Sequence, residues 1–270
     1  MGRKWIIALA ASLMLLGLGV LLYPAVSSAV NRMNGSYAIQ ELQAQVDGMD
    51  ASLREAELAK ARTYNEKLRS ITDRTDETVD PDYESILDFG NGIMGFISIP
   101  KISVKLPIYH GVSTEVLEKG VGHLPSSSFP IGGEGNHAVL TGHTGLPSAS
   151  LFTDLNKVEK GDRFEVSIGG ETVLYQVDRI KVVLPNETGD LALAAGEDYC
   201  TLVTCTPYGV NSHRLLVRGS RVELLDEEPV FYVEEAENSG STRNWIKLIL
   251  IVLIVGIVFF VKRKRGKRRD

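Results

Sequence analysis

The sequence predicts a mainly β domain, a closed or nearly closed barrel, set between two apolar segments. Short runs rich in β-branched and apolar residues recur between residues 93 and 224, Gly and Pro punctuate them, and an apolar stretch stands near each end of the 270-residue chain. With the ends set aside, residues 27–244 suffice for one domain with a full core.

The first apolar segment, residues 5–23, runs 19 residues without a charge, close to the ~20 that cross a hydrocarbon core as a helix. Arg3 and Lys4 before it and Pro24-Ala25-Val26-Ser27-Ser28-Ala29 after it also suit a cleavable signal peptide. Such a peptide has an apolar core of only about 7 to 15 residues, so length favours an uncleaved anchor. Residues 37–72 place Leu42, Val46, Met49, Leu53, Leu58 and Leu68 among Glu, Gln, Ala, Lys and Arg with no proline. This predicts a helix, a stalk or one packed on the domain's side, in preference to a partner-binding element. Residues 73–92 form a polar, turn-rich linker with Asp80-Pro81-Asp82-Tyr83 and Asn91-Gly92.

Beyond it the pattern predicts strands over Ile93–Ile99, 106–109, 137–141, Arg163–Ile168, 172–184, 199–205 and 214–224. Gly169-Gly170 signals a tight hairpin. Two short helices are predicted near Thr114–Lys119 and 149–155. There is no internal repeat and no phosphate-binding glycine loop. The second apolar segment, residues 245–261, has Trp245 and Lys247 at its outer end, both suited to a membrane interface.

The tail Lys262-Arg263-Lys264-Arg265-Gly266-Lys267-Arg268-Arg269 follows directly. Basic flanks mark the cytoplasmic side, so both termini are expected inside and residues 27–244 outside, a two-pass membrane protein. A stop-transfer role for this tail is favoured over binding of anionic lipid. The outer part holds 33 acidic and 19 basic residues, a formal −14, which argues against nucleic-acid binding.

Cys200 and Cys205 share one predicted strand. At ~3.3 Å per residue their α-carbons lie roughly 16 Å apart on opposite faces, beyond the ~7 Å a disulfide allows. Unpaired cysteines outside the cell point to a reactive thiol, and the plainer reading of a small buried hydrophobe suits Cys200 better than Cys205.

Three polar residues stand where apolar strands begin or end: His143, Cys205 and Arg214. A thiol near pKa 8.5 needs an activating partner, an imidazole can take and return a proton, and a guanidinium can hold a developing oxyanion. From residue types alone this grouping stays open, because adjacency in space is not visible in sequence. His137 opens its strand, His110 and His123 lie near Gly-containing turns, and His213 points opposite to Arg214. No spacing suits a metal, and no cofactor is expected.

Thr201-Leu202-Val203-Thr204-Cys205 resembles the TLxTC signature of sortases, and Leu140-Thr141-Gly142-His143-Thr144-Gly145 resembles their histidine segment. Cys205-Thr206-Pro207-Tyr208-Gly209-Val210-Asn211-Ser212-His213-Arg214 is similar to the pilus-assembling class C branch, as are residues 91–101 and the second apolar segment. The resemblance covers residues 84–224 and implies an eight-stranded sortase barrel with His143, Cys205 and Arg214 as catalytic residues. With the apolar segments and the basic tail, the divisions expected are 1–26 (cytoplasmic N-terminus and anchor), 27–83 (stalk and linker, with a possible reduced lid), 84–226 (barrel), 227–244 (linker), 245–261 (second transmembrane helix) and 262–270 (tail).

The implied reaction is attack of Cys205 on the Thr carbonyl of an LPXTG-like motif in a pilin or surface protein, expulsion of glycine, and transfer of the thioester to a pilin lysine. Alternatives are transfer to a cell-wall peptidoglycan precursor amine, and an inactive membrane scaffold for surface-protein assembly. The L,D-transpeptidases also use Cys, His and Arg, but their compact motif is not found. Class C lids often carry Asp-Pro followed directly by an aromatic residue. Here Asp82 intervenes before Tyr83, and Tyr83-Glu84-Ser85-Ile86-Leu87 looks like the segment after the lid, so a shortened or missing lid is expected and no inhibitory role is assigned.

Overall fold

The structure is a computed structural model that describes residues 2–70, 80–90 and 92–223. Helix α1 (Arg3–Gly48) runs 46 residues through Pro24, and α2 (Ala51–Ser70) follows after a break. The single helix expected over 37–72 is therefore two pieces, the first already begun in the apolar segment. No proline makes the break; Asp50 does. Its Oδ1 accepts the Ser52 backbone N–H at 2.8 Å and the Ser52 hydroxyl at 2.6 Å, capping α2.

Both helices pack on the barrel. Ile39, Leu42 and Val46 of α1 and Leu58, Ala61 and Tyr64 of α2 are buried. Asn65 of α2 is 1% exposed, donates to the Phe129 carbonyl (3.1 Å) and accepts the Phe129 N–H (2.7 Å), so one side chain satisfies both backbone groups of a buried residue.

The strands are β1 (Ile93–Ile99), β2 (Val104–His110), β3 (Val121–His123), β4 (Asn136–Thr141), β5 (Arg163–Ile168), β6 (Glu171–Val183), β7 (Asp198–Thr206) and β8 (His213–Val222), with the one-and-a-half-turn α3 (Thr114–Lys119) between β2 and β3. They close in the order β1-β2-β3-β4-β7-β8-β6-β5. The pairs β2/β3 and β4/β7 are parallel and the rest antiparallel, so the barrel is mixed. Gly169 (φ +57°) and Gly170 (φ +83°) form the β5–β6 hairpin, a turn that requires two left-handed residues.

Strand β3 is the element that residue patterning does not reveal. Three residues are too few to show alternation, and Gly122 is there because a Cβ would lie 2.3 Å from the Gly111 carbonyl oxygen. The helix expected over 149–155 is not formed: the segment is a run of turns ending in a 3₁₀ turn at Leu155–Lys157. Leu151 sits at φ +36°, and the Phe152 N–H donates to the His143 carbonyl (3.0 Å), not to the residue four before it. The second apolar segment, residues 245–261, lies outside the described residues.

Candidate active site

Side chains of β7 alternate between barrel interior and outer face. Cys200 and Leu202 join the main core, whereas Val203 belongs to a small outer cluster with Val139, Val183 and Leu216. Cys205 shares the face of Val203, and Arg214 that of Leu216. Cys205 and Arg214 are direct cross-strand partners, which sets their β-carbons about 5 Å apart. The three polar residues therefore crown an apolar floor.

His143 reaches the same level from β4. Thr141 pairs with Val203, Gly142 N–H donates to the Val203 carbonyl (3.0 Å), and the Thr204 hydroxyl donates to the Gly142 carbonyl (2.7 Å). One residue further along this register places His143 level with Cys205. Its backbone is held by the bond from Phe152 N–H. Gly142 has to be glycine, since a Cβ would lie 2.6 Å from the Phe152 ring. The structure thus brings all three residues singled out in the sequence to one end of one face. Thr204 and Phe152, which fix the histidine segment, were not singled out; the available signal was the parity of Thr204, which turns its hydroxyl away from Cys205's face.

Arg214 Nη1 donates to the carbonyls of Asn211 (3.3 Å) and His213 (3.1 Å), and Asn211 is at φ +58°. The β7–β8 connection, which opens with a cis Thr206-Pro207 bond, brings the Tyr208 ring to within 3.2 Å of where a Gly145 Cβ would stand. It therefore leans on the loop after His143.

The two cysteines are both free and chemically distinct. Cys200 is fully buried, and burial with Asp198 nearby pushes its thiol well above the ordinary range, whereas Cys205 is half-buried at the strand end. Four of the five histidines are fixed to other tasks. His137 Nε2 lies 2.7 Å from the Thr201 hydroxyl and its Nδ1 2.8 Å from the Ala192 carbonyl. His110 Nε2 lies 2.7 Å from the Ile86 carbonyl, and His213 Nδ1 2.9 Å from the Ser212 hydroxyl. His123 is fully buried between the Tyr83 hydroxyl (2.8 Å) and the Ser128 carbonyl (2.8 Å), and burial lowers its pKa to about 3. Among the described residues, the His143 ring alone makes no hydrogen bond.

Asp80 and Tyr83 are likewise tied down away from Cys205's face. Asp80 pairs with Lys67 of α2 (2.6 Å), and Tyr83, 2% exposed, packs against Tyr64, His123 and Phe129. Residues 71–79 lie outside the described residues.

This barrel, with a cysteine facing an arginine across β7 and β8 and a histidine level with both, is the architecture of a family of cysteine transpeptidases. The sortase domain profile matches residues 97–222, and the chain belongs to the sortase family. Its structural neighbours include class C sortases. Sortase C1 of Streptococcus agalactiae is 48% identical, with a TM-score of 0.67 over 70% of this chain and 100% of that one. Sortase C of Streptococcus pneumoniae, whose structure is described as bearing on catalysis and pilin substrate specificity, is 39% identical, with a TM-score of 0.63 over 70% of this chain and 97% of that one. Sortase D of Bacillus subtilis is 32% identical over 131 residues, 47% of this chain, and the match spans 63% of that protein's length.

Proposed function

We propose that the chain is a pilus-assembling sortase in which Cys205 is the nucleophile, His143 the proton carrier and Arg214 the oxyanion-stabilising group. The observation that carries the roles is the direct cross-strand pairing of Cys205 with Arg214 at the end of β7 where β4 delivers His143. The thiolate of Cys205 adds to the Thr carbonyl of an LPXTG-like motif, and Arg214 holds the oxygen as it gains charge. Collapse breaks the Thr–Gly bond; His143 gives its proton to the departing glycine amine and leaves a thioester on Cys205. A lysine amine of a pilin then attacks that thioester, forming an isopeptide bond and returning the thiol.

Similarity to the class C sortases of the two streptococci supports a pilin donor and acceptor over a wall-precursor amine. We further assign residues 5–23 and 245–261 as membrane spans with both termini cytoplasmic and residues 27–244 outside. Residues 5–23 fall in a helix long and apolar enough to cross a bilayer, and the basic flanks give the orientation. The second span and the domain divisions rest on the sequence.

The test is intact-mass measurement of the full chain in detergent with an LPXTG peptide. A thioester adduct is expected on wild type and not on Cys205→Ala, and added pilin lysine should receive the acyl group. Hydrolysis without transfer to lysine, but with transfer to a wall-precursor amine, would replace the pilus reading with wall anchoring. No adduct with any motif variant would leave the inactive scaffold.

A further inference from the structure

The β7–β8 connection, residues 207–212, is held in one shape yet turns its apolar side chains outward. The N–H groups of Val210 and Asn211 both donate to the Pro207 carbonyl (3.1 and 3.0 Å), and the Asn211 carbonyl accepts from Arg214 Nη1. Among the described residues of 80–223, Tyr208 and Val210 are nonetheless the most exposed large apolar side chains, 69% each. Exposure alone says little; the placement of Tyr208 says more.

Tyr208 rests on the loop that follows His143. Its Cε2, Cδ2 and Cζ are the three atoms nearest the point where a Gly145 Cβ would stand, at 3.2, 3.5 and 3.5 Å. Gly145 is at φ +75° and its N–H donates to the Thr153 hydroxyl (3.2 Å), so the seat is fixed backbone without a side chain. One edge of the ring is seated there and the remainder is open to solvent. Strands β4 and β8 flank β7 on opposite sides. A ring seated on the segment after β4 therefore stands on the His143 side of Cys205, opposite to the side of Arg214.

The chemistry distinguishes these two sides. In the tetrahedral intermediate the oxygen points to Arg214 and the departing glycine nitrogen to His143, which protonates it. The acceptor nitrogen retraces that path. Having first given one proton to water, the lysine amine forms its C–N bond where the glycine C–N bond broke, the C–S bond to Cys205 breaks, and the second proton passes to the ring of His143 that glycine left neutral. A lysine reaching that point brings its methylene chain, and until it sheds a proton its ammonium, alongside whatever stands next to His143. An aromatic ring suits both, since its face attracts the cation and packs the methylenes. We infer that Tyr208 is a specificity-determining residue for the acceptor, seating the lysine side chain on its exposed ring as the amine approaches the thioester. The inference rests on the lysine transfer proposed above.

The test uses the full chain in detergent with an LPXTG peptide as donor and two acceptors competing in one tube. One is an N-acetylated peptide carrying a single lysine; the other is hydroxylamine, which attacks a thioester with no side chain to seat. Mass spectrometry reads the ratio of lysine product to hydroxamate. Both draw on one thioester, so a loss of folded enzyme or slower acylation cancels from the ratio. Tyr208→Ala is expected to lower it by about two- to fivefold, the change an exposed cation–π contact carries, and Tyr208→Phe to hold it near the wild-type value. A ratio unchanged in Tyr208→Ala overturns the proposal, also where both products fall together, because the ring would then only support the loop after His143. Equal falls in Tyr208→Ala and Tyr208→Phe overturn it as well, because the ring face would not be what is recognised. Should Tyr208→Ala give neither product, Tyr208→Leu reads the same ratio. Wild type that forms no thioester removes the reaction assigned above and this inference with it, whereas a thioester that lysine resolves equally well in every variant removes the inference alone.

Discussion

Cys200 and Cys205 lie on one strand, and five residues of β pleat give them opposite surroundings, one inside the barrel core and one half-buried on the outer face. That contrast was readable from parity alone. The supporting residues were not, because their work depends on strands distant in sequence. Thr204 reaches 62 residues back to the Gly142 carbonyl. Thr204→Val keeps the shape and removes that bond, costing about 1 kcal/mol. Thermal denaturation should show a small loss, while thioester formation falls further because the His143 segment loosens. Gly142→Ala drives a methyl into the Phe152 ring, an overpacking cost of roughly 1–3 kcal/mol, visible as a lower denaturation midpoint. If Arg214 holds the oxyanion, Arg214→Ala should slow thioester formation by about 10²–10³-fold with an unchanged midpoint. Equal rates would remove it from the chemistry.

At the scale of elements, the helices fold onto the barrel through a few polar contacts inside an apolar contact surface. Asn65→Leu leaves the N–H of Phe129 buried and unpaired, at about 1–3 kcal/mol, while its C=O keeps the Ile131 N–H (2.9 Å). Limited proteolysis should then cut near α2 before the barrel yields. His123, wedged behind Tyr83, also makes this region acid-sensitive. Its pKa is lowered from 6.5 to about 3 by burial, so the folded state prefers the neutral ring. That stability is full above pH 6.5 and is lost as pH falls toward 3. Denaturation midpoints measured across this window should fall more steeply for wild type than for His123→Gln; identical slopes would reject the assignment.

These elements also show where sequence patterning stops. The strands of six or more residues show alternation or apolar runs and were placed to within two residues at each end. The three-residue β3 has no pattern to show. The 149–155 segment has helical composition, but its Phe152 N–H is drawn to His143.

For the whole molecule, the sequence made a β-rich barrel legible and left its closure hidden. The parallel contacts β2/β3 and β4/β7 arise from connections that leave the sheet and return, and no local pattern encodes them. Yet the β4/β7 contact is what sets the histidine segment beside the cysteine strand, so the site is a product of closure. Cys205 and His143 were identifiable because the chain holds only 2 cysteines and 5 histidines, and Arg214 by the motif around it, but their meeting point was not.

The contacts of α1 with the barrel also carry a consequence for altitude. Ser27 donates to the Ser148 carbonyl (3.3 Å) in the loop after His143, and Asn31 donates to the Glu118 carbonyl (3.1 Å) at the end of α3. Ser27 lies four residues beyond Tyr23 in one unbroken helix, a rise of about 6 Å. With residues 5–23 immersed in a bilayer, the domain is a turret bolted flush to the deck, not a balloon on a string. If Cys205 is the nucleophile proposed above, all the slack needed to bring a scissile bond to it belongs to the incoming protein, and a motif carried high above the lipid would pass overhead out of range.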